Sequence, residues 1–261
     1  MKTMVITSVS NGVGSIMLHR NDDCNAINLP FANALLDGVE KIANDESVKV
    51  LLIGNAGKNF CVGGDVKWFA QLGDSLPDGL DEILTVLNTC LFQLHNLTIP
   101  IVTAVQGVVA GAGIGLALAG DLVLAAKSFT MLSSYLSIGF SPDAGSSYSL
   151  TQRIGPSRTK EFFFRNRKLD ASQCLEWGIV NSVYPDDLLA PAADRITSEL
   201  ARAPTQALKL TKRLINKACD ISINDQLVLE RDFMVICGKS ADGKEGVRAF
   251  LEKRKPIFTG N

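Results

Sequence analysis

The chain has 261 residues, 46% of them hydrophobic, so it can bury a sizeable core in one large domain or two modest ones. Its 26 basic and 27 acidic residues leave a formal net charge of -1, which argues against an electrostatic surface for nucleic acid or for an anionic membrane. Six scattered cysteines without a CxxC pair and two isolated histidines predict a reducing, cytoplasmic location, with no disulfide framework and no metal site.

The first two-thirds of the chain alternate between strand and helix patterns. Residues 4–8 and 14–19 are predicted to form a hairpin, because the Asn11-Gly12 dipeptide between them is a strong signal for a tight turn. The next predicted elements are a helix over 29–44, a strand over 48–53, helices over 65–72 and 80–94, a strand over 99–105, a helix over 113–119 and a strand over 122–126. This alternation predicts an α/β layer structure.

The strand patterns stop near Pro185. Four amphipathic stretches follow, and they are predicted to be helices over 188–201, 205–219, 223–237 and 243–253. We therefore expect an α/β domain over residues 1–195 and a helical lobe over residues 196–261.

One segment has the length of a membrane helix. No residue from Ile99 to Gly120 is charged, and this stretch is long enough to span a bilayer. However, Pro100 and the four glycines between residues 107 and 115 make a poor membrane helix. A buried strand, a glycine loop and a buried helix are the better prediction.

Two glycine-rich loops share a strand–loop–helix setting. They are residues 60–65, with the sequence FCVGGD, and residues 107–113, with the sequence GVVAGAG. Glycine lets a ligand approach the backbone closely, and the free amides of a following helix N-terminus favour negative charge. Two such loops that converge would form an oxyanion hole, although a single loop of this kind is more often a tight turn. A dinucleotide-binding loop is disfavoured, because the third glycine of GAGIG has the wrong spacing.

Five longer motifs follow one another along the chain: HRNDDCNAIN, NFCVGGDVKWF, VQGVVAGAGIGLALAGD, IGFSPDAGSSYSLTQRIG and KLDASQCLEWGIVNSVYP. In this order they resemble the motifs of the enoyl-CoA hydratase/isomerase (crotonase) superfamily. With GKEGVRAFLEKRKPIF near the C-terminus, the resemblance covers nearly the whole chain. It implies a crotonase-like β-β-α spiral body and a C-terminal helical lobe that packs trimers, often paired into hexamers.

The resemblance also implies residues that bind an acyl-coenzyme A thioester. The backbone amides of Gly64 and Ala112 would hold the thioester oxygen, and coenzyme A would be part of the substrate, with no other cofactor. The first glycine loop would lie against the adenine end of coenzyme A through Cys61, Val62, Gly63 and Asp65. Phe250 and Lys253 resemble positions that family members offer to the coenzyme A of a neighbouring subunit.

Some of these assignments have structural alternatives. Asp65 lies at a predicted helix start, where a structural role is common. Phe250 and Lys253 equally fit an amphipathic terminal helix with a solvated lysine. Asp23 departs from the family pattern, because many relatives carry a basic residue there, facing the pyrophosphate.

Hydratases of this family use two glutamates, and this chain has neither. The first belongs in the helix after the second glycine loop, where this chain has Gly115. The second belongs four residues before the glycine of IGFSP, where this chain has Tyr135. Tyr135 would line the acyl pocket or donate a hydrogen bond, and a buried aromatic residue is the alternative. Trp68 and Phe69 fit walls of the acyl pocket or ordinary core residues.

Asp143, in the run SPDAG, is the carboxylate that remains in a catalytic position. The resemblance here is to Δ3,Δ2-enoyl-CoA isomerases and ring-epoxyphenylacetyl-CoA isomerases, which carry an acid at this place. Isomerisation needs one base, which takes the C2 proton and returns it at C4. Ser141, Pro142 and Asp143 also fit a helix start, as N-cap, N1 residue and first-turn acid. A helix N-terminus would lower the pKa of this carboxyl, and burial would raise it.

The leading hypothesis is an acyl-CoA isomerase that shifts a double bond from 3-enoyl-CoA to 2-enoyl-CoA, with Asp143 as its single acid/base. The enzyme alternatives are a hydratase, or an aryl-CoA dehalogenase or thioester hydrolase in which Asp143 is a nucleophile. A catalytically silent protein that binds acyl-CoA or RNA is the remaining alternative, and the near-neutral charge disfavours RNA.

Overall fold

The computed structural model of the chain describes residues 3–260. Its strands are β1 (Val5–Ser10), β2 (Val13–Leu18), β3 (Val50–Asn55), β4 (Ile101–Val105), β5 (Val108–Ala110), β6 (Leu122–Ala126), β7 (Thr130–Leu132), β8 (Lys168–Asp170) and β9 (Ser182–Tyr184). Its α-helices are α1 (Leu29–Ala43), α2 (Val66–Leu72), α3 (Leu76–Asn96), α4 (Ala112–Ala117), α5 (Ser146–Phe164), α6 (Ala171–Trp177), α7 (Asp186–Ala201), α8 (Thr205–Lys217), α9 (Ile223–Lys239) and α10 (Ala241–Leu251).

A six-stranded sheet forms the body, in the order β1-β2-β3-β4-β6-β9. β1 and β2 are antiparallel, and the other neighbouring strands are parallel. Asn11 and Gly12 both have a positive φ, of 51° and 80°, as a two-residue hairpin turn requires. The predicted hairpin is therefore confirmed.

Both faces of this sheet are covered, which explains the continuous apolar run of β3. Leu51 and Ile53 are buried in the main core, to which α1 and α3 also contribute. Val50, on the opposite face, is buried in a second core with Leu189 and Ala193 of α7. The α/β layer architecture predicted from the sequence is confirmed.

A second, three-stranded sheet has the order β5-β7-β8. Each of its strands has three residues, which is too short for a periodic pattern, so the sequence did not predict it. The chain passes from β4 to β5 through Gln106 and Gly107 alone. Gly107 has a φ of 61°, and a Cβ there would lie 2.1 Å from the carbonyl oxygen of Lys58. This close passage requires glycine.

The uncharged segment from Ile99 to Gly120 contains β4, β5 and α4, as predicted for a strand, a loop and a buried helix. Among residues 3–260, no helix has both the length and the apolar character needed to cross a membrane.

Helices α8, α9 and α10 form the C-terminal lobe and pack mainly on one another. The predicted boundary between residues 195 and 196 falls inside α7, which packs on the sheet, so the lobe begins after this helix. Lys212 of α8 connects the lobe to the body by an ion pair and a hydrogen bond. Its Nζ lies 2.8 Å from the Asp121 carboxylate and donates to the Ile99 carbonyl at 3.0 Å.

The lobe exposes many large apolar side chains. In the single chain these include Ile215, Ile223, Leu227, Met234, Val247, Phe250, Leu251 and Ile257. Exposed apolar surface on this scale is typical of a surface that contacts another protein. Association through the lobe stays a prediction.

Candidate active site

The two glycine loops meet at one edge of the main sheet. β3 and β4 are adjacent and parallel, so the segments that follow them leave the sheet on the same side. Beyond the strands, the Cys61 amide donates to the Val108 carbonyl at 3.2 Å, and the Ala110 amide donates to the Cys61 carbonyl at 2.9 Å. These bonds form a parallel bridge that holds the loops side by side, which meets the condition of convergence stated from the sequence.

The contact between the loops depends on glycine. Gly63 has a φ of 91°, and a Cβ there would lie 2.8 Å from the carbonyl oxygen of Ala110 and 3.2 Å from the Cα of Gly111. Gly111 also has a positive φ, of 50°. Side chains at these positions would push the loops apart.

The backbone amides of Gly64 and Ala112 have no hydrogen-bond acceptor within residues 3–260. Before Gly64, the Ile27 amide donates to the Gly63 carbonyl at 2.7 Å. After it, the Asp65 amide donates to the Ile27 carbonyl at 2.8 Å. In such a parallel bridge the Gly64 N–H faces away from Ile27. Ala112 is the first residue of α4, where an amide has no acceptor within the helix. Neither amide donates a hydrogen bond to another group in residues 3–260.

Phe69 covers one side of Gly64. A Cβ on Gly64 would lie 2.5 Å from the Phe69 Cζ, and the Phe69 ring centroid is 6.2 Å from that of Phe140. Trp68, by contrast, packs against the main core. Trp68 therefore fits the core interpretation, whereas Phe69 packs against the Cα side of Gly64, with Phe140 beside its ring.

Asp143 lies outside α5, although its sequence context also fits a helix start at Ser141. α5 begins at Ser146, and residues 141–143 are irregular, so the predicted helix start at Ser141 is wrong. The chain reaches α5 through Ala144 and Gly145, both with a positive φ, of 50° and 67°. Asp143 is therefore not a first-turn acid of α5.

The Asp143 carboxylate is half-buried and hydrogen-bonded to Tyr135. The Tyr135 hydroxyl donates to Oδ1 at 2.6 Å, and the Ser146 hydroxyl donates to the Asp143 backbone carbonyl at 2.8 Å. Burial raises the pKa of the Asp143 carboxyl above its usual 3.8, and the Tyr135 hydrogen bond opposes this rise in part. The sequence analysis weighed a helix N-terminus, which would lower this pKa, against burial, which would raise it. Burial dominates.

The Asp143 segment lies directly against Gly115 of α4. A Cβ on Gly115 would lie 1.7 Å from the carbonyl oxygen of Ala144, so no side chain fits there with this backbone. The position of the first hydratase glutamate is thus occupied by the backbone that carries Asp143. The second hydratase position, Tyr135, holds a hydroxyl that donates to the same carboxylate.

This packing brings Asp143 beside both glycine loops. Gly115 lies one turn from Ala112 on α4. On the other loop, burial raises the pKa of the Cys61 thiol to about 12, and the nearby Asp143 carboxylate adds to that rise. Asp143 therefore lies near Cys61 of the first glycine loop and near the helix that follows the second.

The side chains predicted to face coenzyme A differ in their burial and in their hydrogen-bond partners. Cys61 is fully buried, and its thiol donates to the Asn25 carbonyl at 3.2 Å, whereas Val62 is half-buried. Asp65 is the N-cap of α2, accepts from the Trp68 amide at 3.1 Å and lies 2.8 Å from Arg20. The structural alternative for Asp65 is therefore supported.

Phe250 lies in the last turn of α10 and Lys253 two residues after this helix, in the lobe, and both are exposed. α10 packs mainly on α9, so the single chain does not bring these two residues to the glycine loops. Within residues 3–260, no group of three or more His, Cys, Asp or Glu side chains could hold a metal ion.

Three residues of the site were not predicted. Ser146 donates to the Asp143 carbonyl, the Ala144 backbone packs against Gly115, and Phe140 faces Phe69. Gly145, two residues after the acid, was the available signal for an irregular turn before α5.

Comparison with known proteins agrees with this geometry. The family description "Enoyl-CoA hydratase/isomerase" matches residues 8–261. The chain is 35% identical to 1,2-epoxyphenylacetyl-CoA isomerase of Escherichia coli, with all of both chains covered. It is 32% identical to trans-2-decenoyl-[acyl-carrier-protein] isomerase of Streptococcus mutans, with 98% of each covered. An enoyl-CoA hydratase structure from Bacillus anthracis superposes with a TM-score of 0.92 at 26% identity, over 99% of this chain and 100% of the other. These matches confirm the predicted crotonase-like fold.

Proposed function

Because the chain belongs to the enoyl-CoA hydratase/isomerase family, we propose that it is an acyl-CoA isomerase that converts 3-enoyl-CoA to 2-enoyl-CoA. Asp143 is its single acid/base, and the amides of Gly64 and Ala112 form the oxyanion hole. One observation carries this proposal: the backbone of the Asp143 segment fills the space at Gly115. The arrangement leaves one carboxylate where a hydratase of this family has two.

The proposed reaction uses the site as follows. Asp143 removes the C2 proton of the bound thioester, and the electron pair enters a dienolate whose negative charge lies on the thioester oxygen. The Gly64 and Ala112 amides stabilise that oxygen, and loss of one such donor typically raises a barrier by about 3 kcal/mol. Asp143 then delivers the proton to C4, which moves the double bond.

The raised pKa of Asp143 supports its role as the base. A general base is most effective when its pKa approaches the working pH, and burial moves the pKa of this carboxyl in that direction. The same pKa means that activity falls as the pH drops and Asp143 becomes protonated.

Relatives of this chain carry both isomerase and hydratase names, so the reaction requires a direct comparison. We expect the purified protein to move the double bond of 3-enoyl-CoA thioesters and to hydrate 2-enoyl-CoA negligibly. Both products are measured in the same samples by chromatography. Water addition at about 10 per second, an ordinary enzymatic rate, would contradict the proposal.

We also expect a trimer or a multiple of a trimer, in which the lobe covers its exposed apolar side chains. Phe250 and Lys253 would then contact the coenzyme A of a neighbouring subunit. Light scattering at micromolar concentration checks the mass, and a stable monomer or dimer would count against this assembly. Truncation before Pro204 is expected to give a dissociated or insoluble protein, because it uncovers the apolar surface that the lobe contacts.

A further inference from the structure

Three groups close a hydrogen-bonded network around Asp143. The Tyr135 hydroxyl lies 2.6 Å from Asp143 Oδ1 and 3.2 Å from the Ser146 hydroxyl. The Ser146 hydroxyl and amide both donate to the Asp143 backbone carbonyl, at 2.8 and 2.9 Å. Asp143 is thus held through its carboxylate and its main chain at once. Within residues 3–260, no other residue donates a hydrogen bond to its second carboxylate oxygen, Oδ2.

Tyr135 is itself held in place. It begins a short 3-10 helix, Tyr135–Ile138, that is bounded by left-handed residues at Ser134 and Gly139. Its side chain is 6% exposed, and its ring centroid lies 6.0 Å from that of Phe163 on α5. A fixed donor with a short, charge-assisted hydrogen bond restricts the rotation of the carboxylate that accepts it.

We propose that Tyr135 is a positioning residue: it holds Oδ1 of Asp143, so that Oδ2 alone exchanges the proton with the substrate. This inference rests on the proposed isomerase function. When the C2–H bond breaks, the proton goes to Oδ2, and the Oδ2–H bond breaks in turn as the C4–H bond forms. Tyr135 keeps its own proton throughout and donates to Oδ1 in both states of the carboxyl.

The surroundings support this division of roles. Burial, followed by the charge of Asp143, raises the pKa of the Tyr135 hydroxyl well above its usual value of 10, so Tyr135 does not act as an acid. Among residues 3–260, the Cys61 thiol is a further titratable group near the carboxylate, and its raised pKa keeps it neutral. α4 carries no titratable side chain, and α5 contributes the uncharged Ser146.

The test is the Tyr135→Phe variant, which removes the hydroxyl and keeps the ring. We expect kcat to fall about 10- to 100-fold with little change in KM, because a misplaced base reacts slowly. The acid limb of the pH–rate profile should move to higher pH, because the lost hydrogen bond lowered the pKa of Asp143. Tyr184→Phe, the same change in β9, is the matched control and should leave both quantities unaltered.

A second readout does not depend on turnover. The carbon-13 NMR titration of the Asp143 carboxyl, assigned by its loss in Asp143→Asn, should move to higher pH in Tyr135→Phe. If neither this titration nor the acid limb moves, the positioning role is overturned, even when the variant has a lower melting temperature. If the wild-type protein moves no double bond but the titration still shifts, the proposed function fails and with it the positioning role in isomerisation, whereas the hydrogen bond from Tyr135 to Asp143 is upheld.

A variant that does not fold is replaced by substitution of the tyrosines with 3-fluorotyrosine. The fluorinated phenol is a stronger donor and keeps the ring in place. The Asp143 titration and the acid limb should then move to lower pH, and an unchanged titration would overturn the inference.

Discussion

Replacement of Asp143 by asparagine is expected to lower isomerase turnover about 100- to 10,000-fold in a folded protein, as the loss of a general base does. Asparagine keeps an oxygen that can accept the Tyr135 hydrogen bond, so the local structure should persist. The Gly64 and Ala112 amides remain, and affinity for the coenzyme A thioester should change little. Turnover and binding are measured on the same preparation.

The same variant is expected to be at least as stable as the wild type at neutral pH. Because the folded-state pKa of Asp143 is raised, the protonated carboxyl favours folding below pH 3.8, and this contribution is lost as the pH rises through the folded-state value. At pH 7 the wild type therefore carries an ionised, half-buried carboxylate at Asp143, which costs folding free energy. Asparagine at this position is neutral and avoids that cost. The difference in melting temperature should vanish near pH 3.

Asp81→Asn, at an exposed position of α3, is the matched control for this change, and both turnover and melting temperature should stay near wild type. An Asp143→Asn protein that still moves the double bond at nearly the wild-type rate would rule out Asp143 as the base. A covalent intermediate found by mass spectrometry during turnover would assign it the role of nucleophile instead.

Gly115→Ala is expected to lower both stability and turnover, although it adds one methyl group. That methyl would lie 1.7 Å from the Ala144 carbonyl oxygen, so the segment that carries Asp143 must move. Overpacking of this kind typically destabilises a protein by about 1–3 kcal/mol. Displacement of a catalytic group by about 1 Å can reduce the rate about 100-fold. Chemical denaturation and isomerase assays measure the two effects.

Gly238→Ala in α9 is the matched control. A Cβ at Gly238 meets no atom within 4 Å, so this change should leave activity unaltered and stabilise the helix by at most about 1 kcal/mol. Normal turnover in Gly115→Ala would show that the Asp143 segment tolerates displacement, and the explanation for the missing glutamate would then be wrong.

The contact between Gly115 and the Ala144 carbonyl also predicts the outcome of an attempt to introduce hydratase activity. A double variant, Gly115→Glu with Tyr135→Glu, restores both hydratase carboxylates in sequence. We expect it to hydrate 2-enoyl-CoA no better than the wild type, because the glutamate at 115 collides with the Ala144 backbone before it can reach a substrate. Hydration at an ordinary enzymatic rate by this variant would contradict that explanation.

Local chemistry in the sequence determined much of the fold. Asn11-Gly12 predicted the hairpin, because few other dipeptides adopt two successive positive φ values. The apolar periodicity of residues 29–44 predicted α1, and the short apolar run over residues 48–53 predicted β3. The ordered motifs, with the glycine loops among them, identified the family.

The surroundings of Asp143 were decided by the tertiary structure. Its sequence context fits a helix start equally well, and the sequence does not encode how deeply the carboxylate is buried or which hydroxyl binds it. Those depend on Tyr135, eight residues earlier in a separate 3-10 helix, and on the Ala144 carbonyl against Gly115 of α4. The sequence also did not predict the three-residue strands of the second sheet, because pairing between distant residues, not local periodicity, stabilises them. Sequence thus determined the elements and the family, and contacts between distant segments decided the chemistry of the carboxylate.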